Sequence, residues 1–158
     1  MVSGDDPIEH QRDGYVVSSD PARLDAAAIH SFLRSAYWSP GVPLEVVERS
    51  IAHSLPFGLY DAAGAQVGFA RAVTDRAAFA YLADIYVLPA HRGRGLGVWL
   101  VECVLAHPAL HGLRRIMLAT IDAHSLYERF GFRQVAHPER DLELRTDPRT
   151  LYNQFERR

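Results

Sequence analysis

The sequence predicts a single mixed α/β domain in which about four helices flank one sheet. Apolar segments and turn signals alternate along the chain in the order β-α-α-β-β-β-α-β-α-β-β. A length of 158 residues suits one domain with a sizeable core, and no repeat or linker divides the chain. Hydrophobic residues make up 48% and charged residues 23%, as in ordinary soluble globular proteins.

The first half of the predicted order begins after a polar lead-in. Residues 1–13 are expected to be flexible, so the domain is taken to span 14–158. Asp20 and Pro21 can start a helix, and Pro43 suits the start of a second one. The predicted elements are a strand at 14–18, a helix at 20–36, a loop at 37–43, a helix at 43–54, and hairpin strands at 57–60 and 66–74.

The second half is organised around a turn rich in glycine and arginine at residues 92–97. An apolar strand precedes this turn, and an amphipathic helix follows it without a linker. The predicted elements are a strand at 79–87, a helix at 94–106, a strand at 115–119, a short helix at 123–130, and a final strand pair at 132–135 and 141–145.

Composition narrows the possible functions. A net charge of −2 argues against a nucleic-acid-binding protein, and no apolar run is long enough to span a membrane. The lone Cys103 has no partner for a disulfide and lies in register with Leu96 and Leu100, which predicts a buried core thiol. No cluster predicts a metal site. The polar N-terminus does not resemble a signal peptide, so a cytoplasmic location is expected.

The turn at 92–97 predicts an anion site. A strand followed directly by a helix N-terminus leaves free backbone N–H groups and a positive dipole end at one place. A dinucleotide fingerprint requires G-x-G-x-x-G, but the third glycine of Gly93, Gly95 and Gly97 falls one place early. A Walker loop requires a lysine, and this chain has none. These differences disfavour a nucleotide-dependent oxidoreductase.

Two motifs resemble those of the GNAT acetyltransferase superfamily. The spacing Arg92-x-x-Gly95-x-Gly97 resembles its acetyl-CoA signature, and residues 123–132, AHSLYERFGF, resemble its A-x-x-L-Y-x-x-x-G-F element. The resemblance covers residues 14–145. It implies the GNAT fold: a mixed, largely antiparallel sheet that splays between its fourth and fifth strands, with a bulge in the run at 84–89.

The resemblance also implies that the chain binds acetyl-CoA as co-substrate and requires no metal. The pyrophosphate would lie on the amides of the glycine turn, and the pantetheine would pair with the splayed strand. The family frequently has an asparagine seven residues before its tyrosine; Thr120 stands there, and Asp122 is an alternative. The implied cofactor-binding residues are Ile85, Tyr86, Val87, Arg92, Gly93, Arg94, Gly95, Leu96, Gly97, Val98 and Thr120.

The implied reaction is transfer of an acetyl group to a primary amine. Tyr127 matches the family tyrosine that protonates the departing thiolate, and the Val87 amide matches the donor to the thioester oxygen. Asp84 interrupts an apolar strand and is the leading candidate for a base or a substrate-orienting group. His124 and a water molecule are the alternatives for the base.

The acceptor site is expected where the first two helices meet the later strands. Tyr37 and Trp38 lie in the loop between those helices, and they could form a wall of an acceptor pocket or fill the core beneath the loop. No acidic run marks a groove for a protein tail, which favours a small-molecule amine. C-terminal strand pairing into a homodimer is common in similar proteins. The competing hypothesis is a non-catalytic acyl-CoA-binding sensor or partner-binding module.

Overall fold

The computed structural model describes residues 6–155, which form six strands and five α-helices. The strands are β1 (Glu9–Arg12), β2 (Tyr15–Ser18), β3 (Leu55–Tyr60), β4 (Gln66–Thr74), β5 (Phe79–Val87) and β6 (Arg115–Met117). The helices are α1 (Ala26–Leu33), α2 (Leu44–Ala52), α3 (Leu96–Ala106), α4 (His124–Glu128) and α5 (Pro148–Tyr152). In residues 6–155, every helix is too short or too polar to cross a bilayer.

The strands lie in one sheet in the order β1-β2-β3-β4-β5-β6. All neighbouring pairs are antiparallel except β5 and β6, which are parallel. Parallel neighbours need a long crossover connection, and α3 provides it. The predicted mixed, largely antiparallel sheet is therefore confirmed.

Both faces of the sheet are covered. Side chains alternate between the faces of a strand, so Phe69 and Ala70 of β4 belong to different clusters. The larger cluster contains the buried face of α3, while the smaller one contains Ile29 and Leu33 of α1 with Val47 of α2. This sandwich explains why every residue of the central strand β3 is buried.

The N-terminal segment differs from the expected flexible lead-in. Residues 9–12 form β1, which pairs with β2 across a two-residue turn at Asp13 and Gly14. Both turn residues have positive φ, +51° and +81°, the geometry that two-residue hairpins favour. The remaining part of the predicted lead-in at 1–5 lies outside the described residues. Because of this additional strand, the predicted fourth and fifth strands are β5 and β6.

The predicted final strand pair is wrong. Residues 132–135 and 141–145 form neither a helix nor a strand in the structure. A strand requires a neighbour about 4.8 Å away, whereas β6 and the segment at 132–141 together line a cavity of about 600 Å³ and meet in a side-chain ion pair of Arg115 and Asp141 at 3.2 Å. Residues 133–147 are all exposed, and Leu142 and Leu144 are fully so.

The first predicted helix is also shorter than expected. Pro21–Arg23 forms a single 3₁₀ turn, Leu24 is extended, and α1 begins only after Asp25. The Asp25 carboxylate accepts a hydrogen bond from the Ala28 amide at 3.0 Å and so caps the helix. The Asp25 cap therefore divides the predicted helix into the 3₁₀ turn and α1.

Candidate active site

The turn between β5 and α3 presents free backbone amides to an open space. Gly93 and Gly95 have φ of +78° and +74°, and Gly95 precedes the first residue of α3 without a side-chain cap. A Cβ built on Gly93 would meet no heavy atom within 4 Å. This cradle of uncapped N–H groups fits an anionic group such as the pyrophosphate of acetyl-CoA.

The two arginines of the turn are held by other protein groups. Arg92 donates from Nε to the Val87 carbonyl at 2.9 Å, and Arg94 donates from Nη1 to the Tyr15 hydroxyl at 3.0 Å. The same hydroxyl lies 2.9 Å from Nδ1 of His91. A guanidinium has five N–H donors, so both side chains keep donors for a ligand.

Strands β5 and β6 separate after a short common segment. Their pairing ends at Tyr81 and Met117, while β5 remains paired with β4 as far as Val87. The β4–β5 register shifts between Phe69 and Arg71, where β5 has one extra residue. Asp84 lies in this bulge with φ of +55°. The predicted splay and its bulge are thus present in the structure.

Val87 turns its backbone toward the open edge of β5. The next residue, Leu88, donates to the Val67 carbonyl at 2.8 Å, and hydrogen-bonding direction alternates along an antiparallel pair. Val87, which pairs with Gly68, therefore directs its N–H and C=O away from β4. The bond from Arg92 to the Val87 carbonyl agrees with this direction.

Asp84 joins two elements of the site through hydrogen bonds. Its Oδ1 accepts from Nε1 of Trp38 at 2.8 Å, and its Oδ2 accepts from Nε of Arg71 at 2.6 Å. The Arg71 and Asp84 side chains are 18% and 11% exposed, and Arg71 also donates to the Ser54 hydroxyl at 3.0 Å. Both carboxylate oxygens are thus engaged in positioning neighbouring side chains.

Aromatic side chains surround this carboxylate. Tyr37 packs edge-on against Trp38 with ring centroids 5.0 Å apart, and its side chain is largely exposed. Phe32 of α1 stacks on Tyr86 at 3.8 Å and also contacts Trp38. Tyr86 lies in the core, and burial strongly raises the pKa of its hydroxyl. Tyr37 and Trp38 therefore form an accessible wall over a packed aromatic base.

Tyr127 is half-buried on α4 beside that wall. Burial raises the pKa of its hydroxyl, and the nearby Tyr37 and Asp122 add to the effect. Its ring packs edge-on against Phe132, and no hydrogen bond from its hydroxyl occurs within residues 6–155. A Cβ on Gly97 would lie 3.6 Å from Leu126, so α4 packs against the first turn of α3.

Thr120 and His124 line the cavity beside β6 together with Tyr127. The Thr120 hydroxyl accepts a hydrogen bond from the Ala123 amide at 3.0 Å, just before α4 begins. His124 and Asp122 are both exposed. The Thr120 hydroxyl, predicted to contact the cofactor, therefore also stabilises the start of α4.

Arg71 and Tyr152 also belong to the site in the structure, although neither was predicted from the sequence. Arg71 interrupts apolar β4 as Asp84 interrupts β5, so the same signal could have identified it. Tyr152 of α5 packs against the smaller core cluster. Burial raises its pKa, with a further contribution from the charge of Asp84. The C-terminal helix therefore covers one side of the region around Asp84 and Trp38.

Cys103 is buried on α3, as predicted. Burial raises the pKa of its thiol to about 11, so the thiol stays protonated at neutral pH. Across residues 6–155, no group of three or more His, Cys, Asp or Glu side chains could hold a metal ion.

A sequence model of the acetyltransferase (GNAT) family matches residues 25–132. The chain belongs to this family. The matched GNAT region begins at Asp25, which caps α1, and ends just after α4, so it contains the glycine turn, Asp84 and Tyr127. GNAT acetyltransferases use acetyl-CoA as the acetyl donor, in agreement with the anionic group that the turn fits.

One relative and two solved structures are similar to this chain. A Gibberella zeae protein named "Putative acetyltransferase" is 34% identical, with 80% of this chain and 83% of that protein covered. A GNAT-family crystal structure from Xanthomonas campestris has 45% identity, a TM-score of 0.84 and coverage of 90% of this chain and 99% of that one. A Clostridium acetobutylicum structure described as "predicted acetyltransferase with acetyl-CoA" shares the fold at 14% identity, with a TM-score of 0.62 and coverage of 83% of this chain and 94% of that one.

Proposed function

We propose that this chain transfers the acetyl group of acetyl-CoA to a primary amine of a small molecule in the cytoplasm. The observation that carries the proposal is the position of Tyr127. Its half-buried hydroxyl has no hydrogen-bond partner within residues 6–155, and its helix packs against the first turn of α3 at Gly97. A proton donor therefore stands free beside the glycine turn and the open edge of β5.

The cofactor is held in two places in this proposal. The amides of residues 93–98 and the spare donors of Arg92 and Arg94 bind the pyrophosphate. In the segment of Ile85, Tyr86 and Val87, Tyr86 faces β4, so the outward backbone groups on either side of it pair with the amides of the pantetheine arm. Thr120, beyond the end of β6, lies on the other side of the splay. These contacts direct the thioester toward the aromatic wall and Tyr127.

Acetyl-CoA supplies a thioester whose carbonyl carbon accepts the nitrogen lone pair of the amine. The outward N–H of Val87 donates to the carbonyl oxygen as negative charge develops there. As the carbon–sulfur bond breaks, Tyr127 gives its proton to the departing thiolate. We assign the proton lost by the amine to water, because both Asp84 oxygens already accept hydrogen bonds and His124 is exposed.

The acceptor binds between Tyr37, Trp38 and Tyr152 in this proposal. Exposed aromatic faces attract a cationic amine, and the charge of Asp84, which accepts from Trp38, is balanced by Arg71. We assign Asp84 the substrate-orienting role, which it performs by fixing the indole of Trp38. The exposed groups of this region are aromatic rings rather than a run of acidic side chains, which favours a small molecule over a protein tail.

Acetyl-CoA is expected to raise the melting temperature of the protein. Ligand at about 100 times its dissociation constant adds roughly 2.7 kcal/mol to the free energy of unfolding. In a domain of this size that corresponds to roughly 5–10 °C in thermal melting. In the Gly95→Val variant the shift should disappear, because a branched side chain at φ +74° distorts the turn and covers its amides.

Gly112→Val is the matched control for this experiment. Gly112 also has positive φ, +72°, and free space around its Cβ position, but it lies beyond the C-terminal end of α3. The variant should melt earlier than the wild type yet keep the full shift with acetyl-CoA. No shift for the wild-type protein would contradict the cofactor site. A shift without CoA release across a panel of amines would favour the acyl-CoA-binding module.

A homodimer is a further part of the proposal, supported by the exposed C-terminal segment. Leu142 and Leu144 are fully exposed and two residues apart, so in an extended segment they share one side. The outer edge of β6 has no strand partner within residues 6–155. We propose that a second copy of the chain covers these leucines, because a monomer leaves both in water.

Sedimentation velocity tests this proposal. The wild type is expected to sediment as a dimer, and a variant carrying Leu142→Asp and Leu144→Asp as a monomer with unchanged melting. Glu143→Gln alters the side chain between them and should leave the dimer intact. A wild-type monomer at all concentrations, or a dimer that survives the double substitution, would refute the proposed contact.

A further inference from the structure

The hairpin of β1 and β2 brings Arg12 to the glycine turn from a distant part of the sequence. A Cβ built on Gly95 would lie 3.5 Å from Nη2 of Arg12, so the guanidinium borders the residue that precedes α3. Its Cζ lies 5.8 Å from the ring centroid of Trp99, one helical turn further along α3. The indole thus supports the cation at the mouth of the turn.

The charge of Arg12 is only weakly neutralised. Its acidic partner in the described part of the chain is Asp13, at 3.7 Å from Nε, and the two side chains are 44% and 86% exposed. Exposed ion pairs at such distances contribute little to stability. Arg92 and Arg94, in contrast, each donate to a protein oxygen. Arg12 is therefore the arginine of this region whose terminal nitrogens have no protein acceptor within residues 6–155.

We infer that Arg12 binds a phosphate group of acetyl-CoA at the glycine turn. A guanidinium offers two parallel N–H donors that match two phosphate oxygens, and charge-assisted bonds of this kind are among the stronger ones in proteins. The helix N-terminus and Arg12 face the same anion from two sides. The inference rests on the proposed function, because it requires acetyl-CoA to occupy the turn.

The second strand of the hairpin contributes to the same region. The Tyr15 hydroxyl accepts from Arg94 at 3.0 Å and contacts His91 at 2.9 Å. Tyr15 therefore orients the arginine inside the turn, while Arg12 approaches it from outside. The segment first predicted as a flexible lead-in and its partner strand together form one border of the cofactor site.

The test compares acetyl-CoA binding to wild type, Arg12→Gln and Asp13→Asn by titration calorimetry. Arg12→Gln should raise the dissociation constant about tenfold. Asp13→Asn is the matched control: asparagine tolerates the positive φ at this position, and the substitution removes the neighbouring charge while keeping Arg12. Its dissociation constant should be equal to or slightly below that of the wild type.

Cofactor fragments separate a phosphate contact from a general loss of structure. Arg12→Gln should not change the melting shift produced by S-acetylpantetheine, which has no phosphate. Acetyl-dephospho-CoA lacks the phosphate of the ribose. If Arg12→Gln still binds it tenfold more weakly than the wild type does, the contact is to the pyrophosphate. If the two proteins bind it equally, the contact is to the phosphate of the ribose.

Two results would overturn the inference. One is an unchanged dissociation constant for acetyl-CoA in Arg12→Gln while the wild type binds normally. The other is an equal loss of affinity for S-acetylpantetheine in Arg12→Gln, since that would indicate that Arg12 only packs on Trp99. If the wild-type protein itself fails to bind acetyl-CoA, the proposed function falls together with this inference.

Discussion

Replacement of Tyr127 by phenylalanine is expected to lower kcat for acetyl transfer by about 10²- to 10³-fold. The phenylalanine keeps the ring contact with Phe132 and the packing of α4 but removes the proton donor. The thiolate would then leave without protonation from the enzyme. The measurement is CoA release with the best amine of the panel, and the melting shift with acetyl-CoA should equal that of the wild type.

The pH profile gives the same prediction an independent readout. An acid catalyst must be protonated, and burial raises the pKa of Tyr127 above its ordinary value near 10. The wild-type kcat should therefore persist through neutral pH and fall only above pH 10, and this alkaline fall should be absent in the phenylalanine variant. Tyr81→Phe, at an exposed position on β5, is the control and should leave kcat unchanged. A kcat within threefold of wild type in Tyr127→Phe would exclude the proposed role.

Replacement of Asp84 by asparagine is expected to reduce the free energy of unfolding by about 3 kcal/mol. The Arg71 guanidinium, only 18% exposed, would lose its counter-charge in the interior. Asparagine keeps the shape and tolerates the positive φ of the bulge, so the loss reports charge rather than backbone strain. Denaturant unfolding measures the change.

The same substitution should also affect the acceptor more than the cofactor. Trp38 would lose a charge-assisted acceptor for its indole N–H, so KM for the amine should rise while acetyl-CoA affinity stays constant. The double variant with Arg71→Met removes both charges and should recover much of the lost stability. Equal losses in the single and double variants would show that the unpaired charge of Arg71 is not the cause of the lost stability.

The glycine turn and the sheet that carries it could be predicted because their signals are local. The spacing of glycines after an apolar strand indicates an anion-binding helix start without any knowledge of the tertiary structure. The N-terminal hairpin was equally readable: Asp13 and Gly14 form the dipeptide that favours a two-residue turn, but the polar residues around it concealed the strand. Because the strand was not predicted, Arg12 was not predicted to lie near the glycine turn.

The remaining features depend on contacts that no local pattern encodes. Asp84 and Trp38 were each selected for their own chemistry, but the hydrogen bond between them joins residues 46 positions apart. The alternation of Leu142 and Leu144 resembles a strand in sequence, yet a strand forms only where the edge of a sheet offers backbone hydrogen-bond partners. Residues 141–145 find no such edge within residues 6–155.

The strand order of the sheet has a consequence for how the chain finds its fold. Each strand pairs with its neighbour in sequence, so the meander from β3 to β5 closes only short loops, which cost little chain entropy. The two long closures are the segment carrying α1 and α2 and the crossover through α3. These segments carry Trp38 and the glycine turn. The meander is thus made from the closures with the lowest entropic cost, and the two that cost the most bring Trp38 and the glycine turn to it.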